Sequence, residues 1–204
     1  MPLYKHLDLL EKLRRSSLFT YRFLEHSVGK SYAKLLVHRL KKRGEIEELV
    51  KGVYTFKKSP YMILKAIPMA YIGLGSAAFL HGAWEQVTAI TVLSPMVSKS
   101  VKGGMREIAG YKVYLRKISE KMYFGYDYIF IDEIEEFVRV SDPEKTLIDL
   151  LYYDYPFKSE IIPGLIEIID REKLGGYIDE MRRRGVKKWR SVRRLLLNLP
   201  ALKN

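Results

Sequence analysis

The carboxylates Asp142, Glu144 and Asp149 are of the type that could pass protons or hold a divalent ion. Their spacing points to a structural use instead. Asp142 directly precedes Pro143, which is the pattern of a helix cap with proline at the first helical position. Glu144 then sits in the first turn, where a carboxylate complements the helix dipole. Asp149 falls further along the same helix. Glu144-Lys145 also suits a nuclease-like centre, but no acid partner stands on a neighbouring predicted strand.

Other residues capable of chemistry are as sparse. Gly75-Ser76 ahead of a helix has the outline of the phosphate loop used in nucleotidyl transfer. That chemistry also needs paired carboxylates on the following strand, and Thr88 to Leu93 has none. His6, His26, His38 and His81 show no metal-ligand spacing, and His81, in an apolar helix, reads as a hydrogen-bonded packing residue. Gly103-Gly104 reads as a turn. With no cysteine, disulfides, thiolate zinc sites and cysteine nucleophiles are excluded. The expectation is a protein that is not an enzyme, with no cofactor and no metal.

Charge points to a polyanion. The net charge is +12, and it is segregated along the chain. Residues 1–60 hold 14 Lys+Arg against 6 Asp+Glu, and residues 182–204 hold 9 against none, so the middle of the chain is acidic. Clustered basic ends of this kind fit nucleic acid. A solvated surface with no partner is the plainer alternative. Within the middle, Asp132-Glu133 and Glu135-Glu136 read as a solvated edge or a docking surface for a basic partner.

The elements that would position the N-terminal cations can be read from periodicity. Leu3, Leu7, Leu10 and Leu13 mark one face of a first helix over 3–15. Thr20 caps a short second helix, and Gly29 supplies the turn. Ser31 is expected to cap a third helix over 31–43, closed by Gly44. Ala33, Leu36, Val37 and Leu40 form its inner face, leaving Tyr32, Lys34, Leu35, His38, Lys41 and Lys42 outward. Two β-prone runs, Ile46 to Val50 and Val53 to Phe56, flank Lys51-Gly52 as a hairpin. Helix, helix, turn, helix, hairpin is the order of a winged helix-turn-helix.

On that expectation the third helix enters a major groove. Ser31, Tyr32, Lys34, Leu35 and His38 meet base edges, and Lys41 and Lys42 lie toward flanking phosphates. Lys51 at the hairpin tip, with Lys57 and Lys58 beyond it, touches adjacent backbone, and Thr20 and Arg22 reach phosphate from another side. The bland reading of the same pattern is an amphipathic surface helix with solvated lysines, or a winged helix used to bind protein.

The fold expected is α+β: a winged helix-turn-helix over 1–60, then a mixed α/β domain over 61–204 with a helical C-terminus. Ser59-Pro60 is read as a linker. An apolar helix over 76–84 and strands at Thr88–Leu93, Tyr111–Ile118, Tyr128–Ile131 and Phe137–Val140 follow, with 94–110 as a loop or a mobile hairpin. Pro156 and Pro163 punctuate the chain between the helix that begins at Pro143 and helices near 163–171, 175–184 and 187–199. In the last, Trp189, Val192, Leu196 and Leu199 make an apolar stripe. Arg182, Arg183, Arg184, Lys187, Lys188, Arg190, Arg193 and Arg194 form a second basic patch, for DNA or for an acidic protein surface. No apolar run approaches the ~18 residues of a membrane span, and the first residues lack a signal-peptide pattern. The chain reads as cytoplasmic, and its few amides and many charges suggest a heat-loving source. Nothing in the sequence fixes the oligomeric state.

A family resemblance carries this further. Phe19-Thr20, Ser31-Tyr32-Ala33, Leu36, Leu40, Arg43-Gly44-Glu45-Ile46 and Lys51-Gly52-Val53-Tyr54 resemble the N-terminal winged helix of AbiEi-type antitoxins. Tyr71-Ile72-Gly73, Ser76-Ala77-Ala78, Leu80-His81-Gly82 and the stretch from Val140 to Asp149 resemble the second domain of that family, the Asp-Pro-Glu-Lys-Thr-Leu segment most sharply. The resemblance spans residues 19–155, with a tail that is shorter and more basic here. It implies binding to operator double-stranded DNA, repression of the protein's own operon, and neutralisation of a cognate nucleotidyltransferase-like toxin. A plain transcriptional regulator without a toxin, or a protein-interaction scaffold, are the other roles open to such a chain.

Overall fold

The structure is a computed structural model that describes residues 6–86 and 89–200. It is a mixed α+β protein whose N-terminal part runs helix, strand, helix, helix, hairpin. Helix α1 (Leu7–Arg15) leads to strand β1 (Phe19–Thr20), helix α2 (Tyr21–Val28), helix α3 (Lys30–Lys42) and strands β2 (Glu47–Val50) and β3 (Val53–Thr55). The three strands form an antiparallel sheet in the order β1-β3-β2, with Phe19 opposite Tyr54 and Glu48 opposite Tyr54 on the other side. Leu10, Leu13, Leu24, Leu36 and Leu40 close around this sheet. Burying each of these leucines is worth roughly 1.5–3 kcal/mol. Leu3 of the expected leucine stripe lies outside the described residues, and Leu7 faces solvent, so the buried face of α1 is Leu10 and Leu13.

The turns between these helices follow from local chemistry. The Thr20 side chain accepts a hydrogen bond from the Phe23 amide and so caps α2. Gly29, with φ of 82°, breaks α2 from α3 in a single residue, giving a helix-turn-helix-like pair. Ser31 is not the cap of α3. The helix already begins at Lys30, Gly29 provides the first helical carbonyl to the Ala33 amide, and Ser31 stands exposed in the first turn. At the far end Gly44 (φ 63°) lets the Glu45 amide reach the Leu40 carbonyl and its own amide the Lys41 carbonyl, a Schellman closure.

Residues beyond Phe56 build a second layer of structure. Ser59 and Pro60, expected as a linker, are buried: the Ser59 hydroxyl accepts from the Tyr61 amide and starts a short turn into helix α4 (Ile63–Ala66). Strand β4 (Tyr71–Ile72), helix α5 (Gly75–Leu80) and strands β5 (Ile90–Ser94), β6 (Gly104–Ile108), β7 (Tyr111–Lys117), β8 (Tyr126–Ile131) and β9 (Glu136–Ser141) follow. The sheet order is β6-β7-β5-β4-β9-β8, with β4–β9 and β5–β7 parallel and the other pairs antiparallel. Alternation assigns its two faces. Tyr71 and Leu93 point into a core covered by C-terminal helices, whereas Ile72, Val92, Val113 and Val140 point into a core shared with α4.

Two strands of this six-stranded sheet are hidden from periodicity, as is β1 of the N-terminal sheet. Strand β4 is only two residues long, and β6 lies in the segment read as a loop or hairpin; it is paired with β7 through the turn at Ala109-Gly110. Thr88 of the expected first strand lies outside the described residues.

Helices α6 (Pro143–Tyr152), α7 (Lys158–Ile166), α8 (Arg171–Arg183) and α9 (Trp189–Leu197) complete the fold. Two differ from expectation. Pro163 lies inside α7 rather than bounding it; having no amide hydrogen, it cannot donate to the carbonyl of Ser159 four residues back, and Ser159 is exposed. Helix α8 begins at Arg171 rather than 175 because the Asp170 carboxylate accepts from the Glu172 and Lys173 amides. No described helix is long and apolar enough to cross a membrane.

The N-terminal part is pinned to the rest. Leu49 of β2 is buried with Met62, Ile63 and other residues of the second core, and its carbonyl accepts from Arg106 Nη1 at 3.1 Å. Glu136 receives Ser17 Oγ at 2.5 Å and Lys57 Nζ at 2.9 Å, and Lys65 Nζ lies 2.9 Å from its other oxygen. Burial pushes this carboxyl up, but the Ser17 hydroxyl, Lys57 and Lys65 more than offset that and hold it at about 2.

Candidate nucleic-acid interface

The outward side of α3 is what the inner face leaves over. Because Ala33, Leu36, Val37 and Leu40 are buried, helical geometry turns Ser31, Lys34, Leu35, His38, Lys41 and Lys42 to solvent, and all six are exposed. Leu35, 41% exposed, is an apolar group in the middle of this cationic strip. Tyr32 departs from the expected face. It is half buried against the first core, with its ring 5.1 Å from that of His6.

The hairpin is braced to α3 by one carboxylate. Glu48 pairs with Lys41 Nζ at 2.5 Å through one oxygen and accepts the Gly52 amide at 3.0 Å through the other. Burial raises Glu48, yet Lys41 and the Gly52 amide together bring it below its ordinary value. Burial, and then the same carboxylate, push the Tyr54 phenol up to about 12. Lys51 projects at the turn, exposed, next to Gly52 (φ 76°). The Tyr21 amide donates to the Gly52 carbonyl at 2.7 Å, which sets this turn beside the start of α2, where Arg22 is exposed; Lys30 is exposed at the start of α3. The Thr20 hydroxyl is occupied as a cap.

Lys57 leaves the expected set. Its ammonium donates to the Ile134 carbonyl and to Glu136, so it serves the junction with the large sheet rather than extending the hairpin. Lys58 remains exposed. The role of Lys57 is not visible in the sequence because its partner is 79 residues away. The acidic run that contains Glu136 reads from sequence as a solvated edge or a docking surface; Glu136 instead holds the N-terminal part in place.

The acid cluster of α6 is wholly engaged. Asp142 caps the helix through the Lys145 amide and accepts the Tyr177 hydroxyl at 2.5 Å. Glu144 accepts the Asp170 amide at 2.6 Å and faces Lys173 Nζ at 3.1 Å. Lys145 and Asp149 form an ion pair with no exposed side-chain surface, and Tyr71 donates to Asp149 at 3.0 Å. Burial pulls the Lys145 ammonium down, pushes the Asp149 carboxyl up and raises Tyr71 well above its ordinary value. These groups hold the sheet to the helices. His81 Nε2 lies 2.7 Å from the Ser141 carbonyl oxygen, which can only accept, so the ring is a hydrogen-bonded packing element.

The second basic patch is divided by its contacts. Arg183 and Arg184 pair with Glu180, and Arg184 also donates to the Tyr123 carbonyl at 3.1 Å. Arg182 and Arg190 lie over the Trp189 ring at 5.9 and 5.4 Å, and Lys188 over Tyr152 at 5.5 Å. Lys187, Arg193 and Arg194 are exposed.

Comparison with known proteins bears on this geometry. Residues 8–57 match the model of the family described as transcriptional regulator, AbiEi antitoxin. That family is one of regulators and antitoxins. The match covers the helix-turn-helix-like pair and the hairpin but stops short of the large sheet. Among solved structures, the RV2827C protein from Mycobacterium tuberculosis is similar, with a TM-score of 0.52 at 14% identity over 90% of this chain and 75% of that one. That likeness is one of fold. No curated protein matches the chain.

Proposed function

We propose that residues 1–60 are a winged helix-turn-helix that binds operator DNA, and that the chain is a transcriptional autorepressor and antitoxin. The observation that carries the reading is the outward face of α3, where Ser31, Lys34, Leu35, His38, Lys41 and Lys42 are exposed together, with the exposed Lys51 of the hairpin turn and Arg22 of α2 as further cations of the same N-terminal part. A helix presenting cations, hydrogen-bonding groups and one apolar side chain matches what a major groove offers: phosphates, base edges and thymine methyls. The match of residues 8–57 to a regulator and antitoxin family supports the same assignment. On this reading the remainder, 61–204, serves a protein partner, a nucleotidyltransferase-like toxin, and the chain itself performs no catalysis.

The test is a mobility-shift titration of the full chain against a fragment carrying its own promoter and against a scrambled fragment. The reading requires tighter binding to the promoter fragment and a steep fall of affinity with salt. Equal affinity for both fragments removes sequence specificity, and no binding to either removes the DNA assignment. Co-expression with a nucleotidyltransferase-like neighbour tests the antitoxin half separately.

A further inference from the structure

The trough between α8 and α9 lies outside the DNA-facing surface described above. It encloses about 410 Å³ between the two helices. Leu174 and Ile178 of α8 and Leu196 of α9 form a buried apolar floor, and Trp189 forms one wall. Arg182 and Arg193 stand on the rim, and Asp179 is the one carboxylate among the described lining residues. No ion pair engages Arg182 or Arg193 among the described residues, and the segment 182–204 contains no Asp or Glu at all.

A second observation concerns Gly175 and Gly176, in the middle of α8. A Cβ at either position would meet nothing within 4 Å, and neither has a positive φ. The protein's own packing therefore has no use for them, although glycine weakens a helix relative to alanine. Gly175 lines the trough, where the missing side chain lets another backbone approach closely.

We infer that this trough docks an amphipathic helix of a partner protein, with its apolar stripe on the Leu174–Ile178–Leu196 floor and carboxylates against Arg182 and Arg193. This is the helix-in-groove mode of recognition, with charge complementarity selecting an acidic ligand. A DNA backbone would use the cations but leave the apolar floor and Trp189 wet. The inference deepens the partner half of the proposed function and rests on it for the existence of a protein partner; the DNA half does not enter.

The experiment is calorimetric titration of the full chain with a synthetic peptide of about 18 residues, long enough to hold a helix, that presents a leucine stripe flanked by glutamates. Saturable binding is expected, weakened at least about tenfold by Gly175→Leu and by Arg193→Glu, with thermal unfolding of both variants no lower than wild type. Arg193→Glu should also remove most of the salt dependence. Absence of binding, equal binding of a peptide with lysine in place of glutamate, or variants that bind like wild type would each overturn the inference. So would non-specific duplex DNA that competes with the peptide and loses affinity on the same two substitutions, since that assigns the patch to nucleic acid. Promoter binding measured on the same variants separates the two readings: its loss in all proteins, with peptide binding intact, sinks the operator assignment and leaves the trough standing.

Discussion

Lys57 Nζ lies 2.9 Å from Glu136 Oε1, joining the segment that follows the hairpin to the first residue of β9 across 79 positions of chain. The contact is three-way, since Ser17 and Lys65 share the same carboxylate. It ties the N-terminal part to the large sheet at the start of β9.

Glu136 should therefore give the protein an acid-sensitive joint. Its carboxyl, ordinarily near 4.5, is held at about 2, so its contribution is complete above pH 4.5 and fades as the pH falls toward 2. Glu136→Gln should cost about 1–2 kcal/mol at neutral pH, the two partly exposed lysines limiting the effect. Denaturant unfolding of both proteins from pH 7 to pH 2 should show the gap closing over that window. A gap independent of pH would contradict the assignment.

Removing Lys34 or Lys42 should lower affinity for promoter DNA and reduce the slope of log affinity against log salt by about one each, if each meets a phosphate. His38→Ala should cost about 1–3 kcal/mol and relax preference at one base pair, as expected for a base contact. Lys57→Ala should weaken the fold more than it changes the salt slope. Mobility shifts at several salt concentrations distinguish the three patterns.

The buried pair on α6 should behave as a unit. Lys145→Met or Asp149→Leu alone leaves an uncompensated charge among Tyr71, Phe124 and Leu147, at a cost of about 3–5 kcal/mol. The double substitution should be less harmful than the sum of the two. Chemical denaturation of the four proteins gives the coupling directly, and additive losses would show that the pair is not coupled.

Two glycines invite opposite outcomes. A Cβ at Gly164 would fall 2.3 Å from the Ala83 carbonyl oxygen, where α7 passes the end of α5, so Gly164→Ala should destabilise by about 1–3 kcal/mol. Gly176→Ala, in open space, should stabilise by roughly 0.5–1 kcal/mol. Melting temperatures of the pair check both signs.

The N-terminal part was largely legible in the sequence because its signals are local. Thr20 caps within three residues, Gly44 lets α3 close within five, and the spacing of Leu36, Val37 and Leu40 fixes which side faces out. What was illegible depends on distant partners. Lys57 looks like any hairpin cation until Glu136 is placed beside it, and Tyr32 looks like an outward residue of α3 until the first core and His6 are placed against it. Strand β4 owes its existence to β5 and β9 on either side, since two residues carry no period of their own. The start of α8 was readable in Asp170, but Gly175-Gly176 obscured it by imitating a break.

The burial of Leu49 in the large core bears on how such a molecule would grip a duplex. A reading head on a loose tether can swivel until it fits. Here, tilting the hairpin by itself would drag a leucine into water and strip Arg106 of its carbonyl. If the N-terminal part reads DNA as proposed, this coupling resists swivelling of the head, so bending needed for a good fit would fall on the nucleic acid, and stiff stretches of its site would be disfavoured whatever bases they carry.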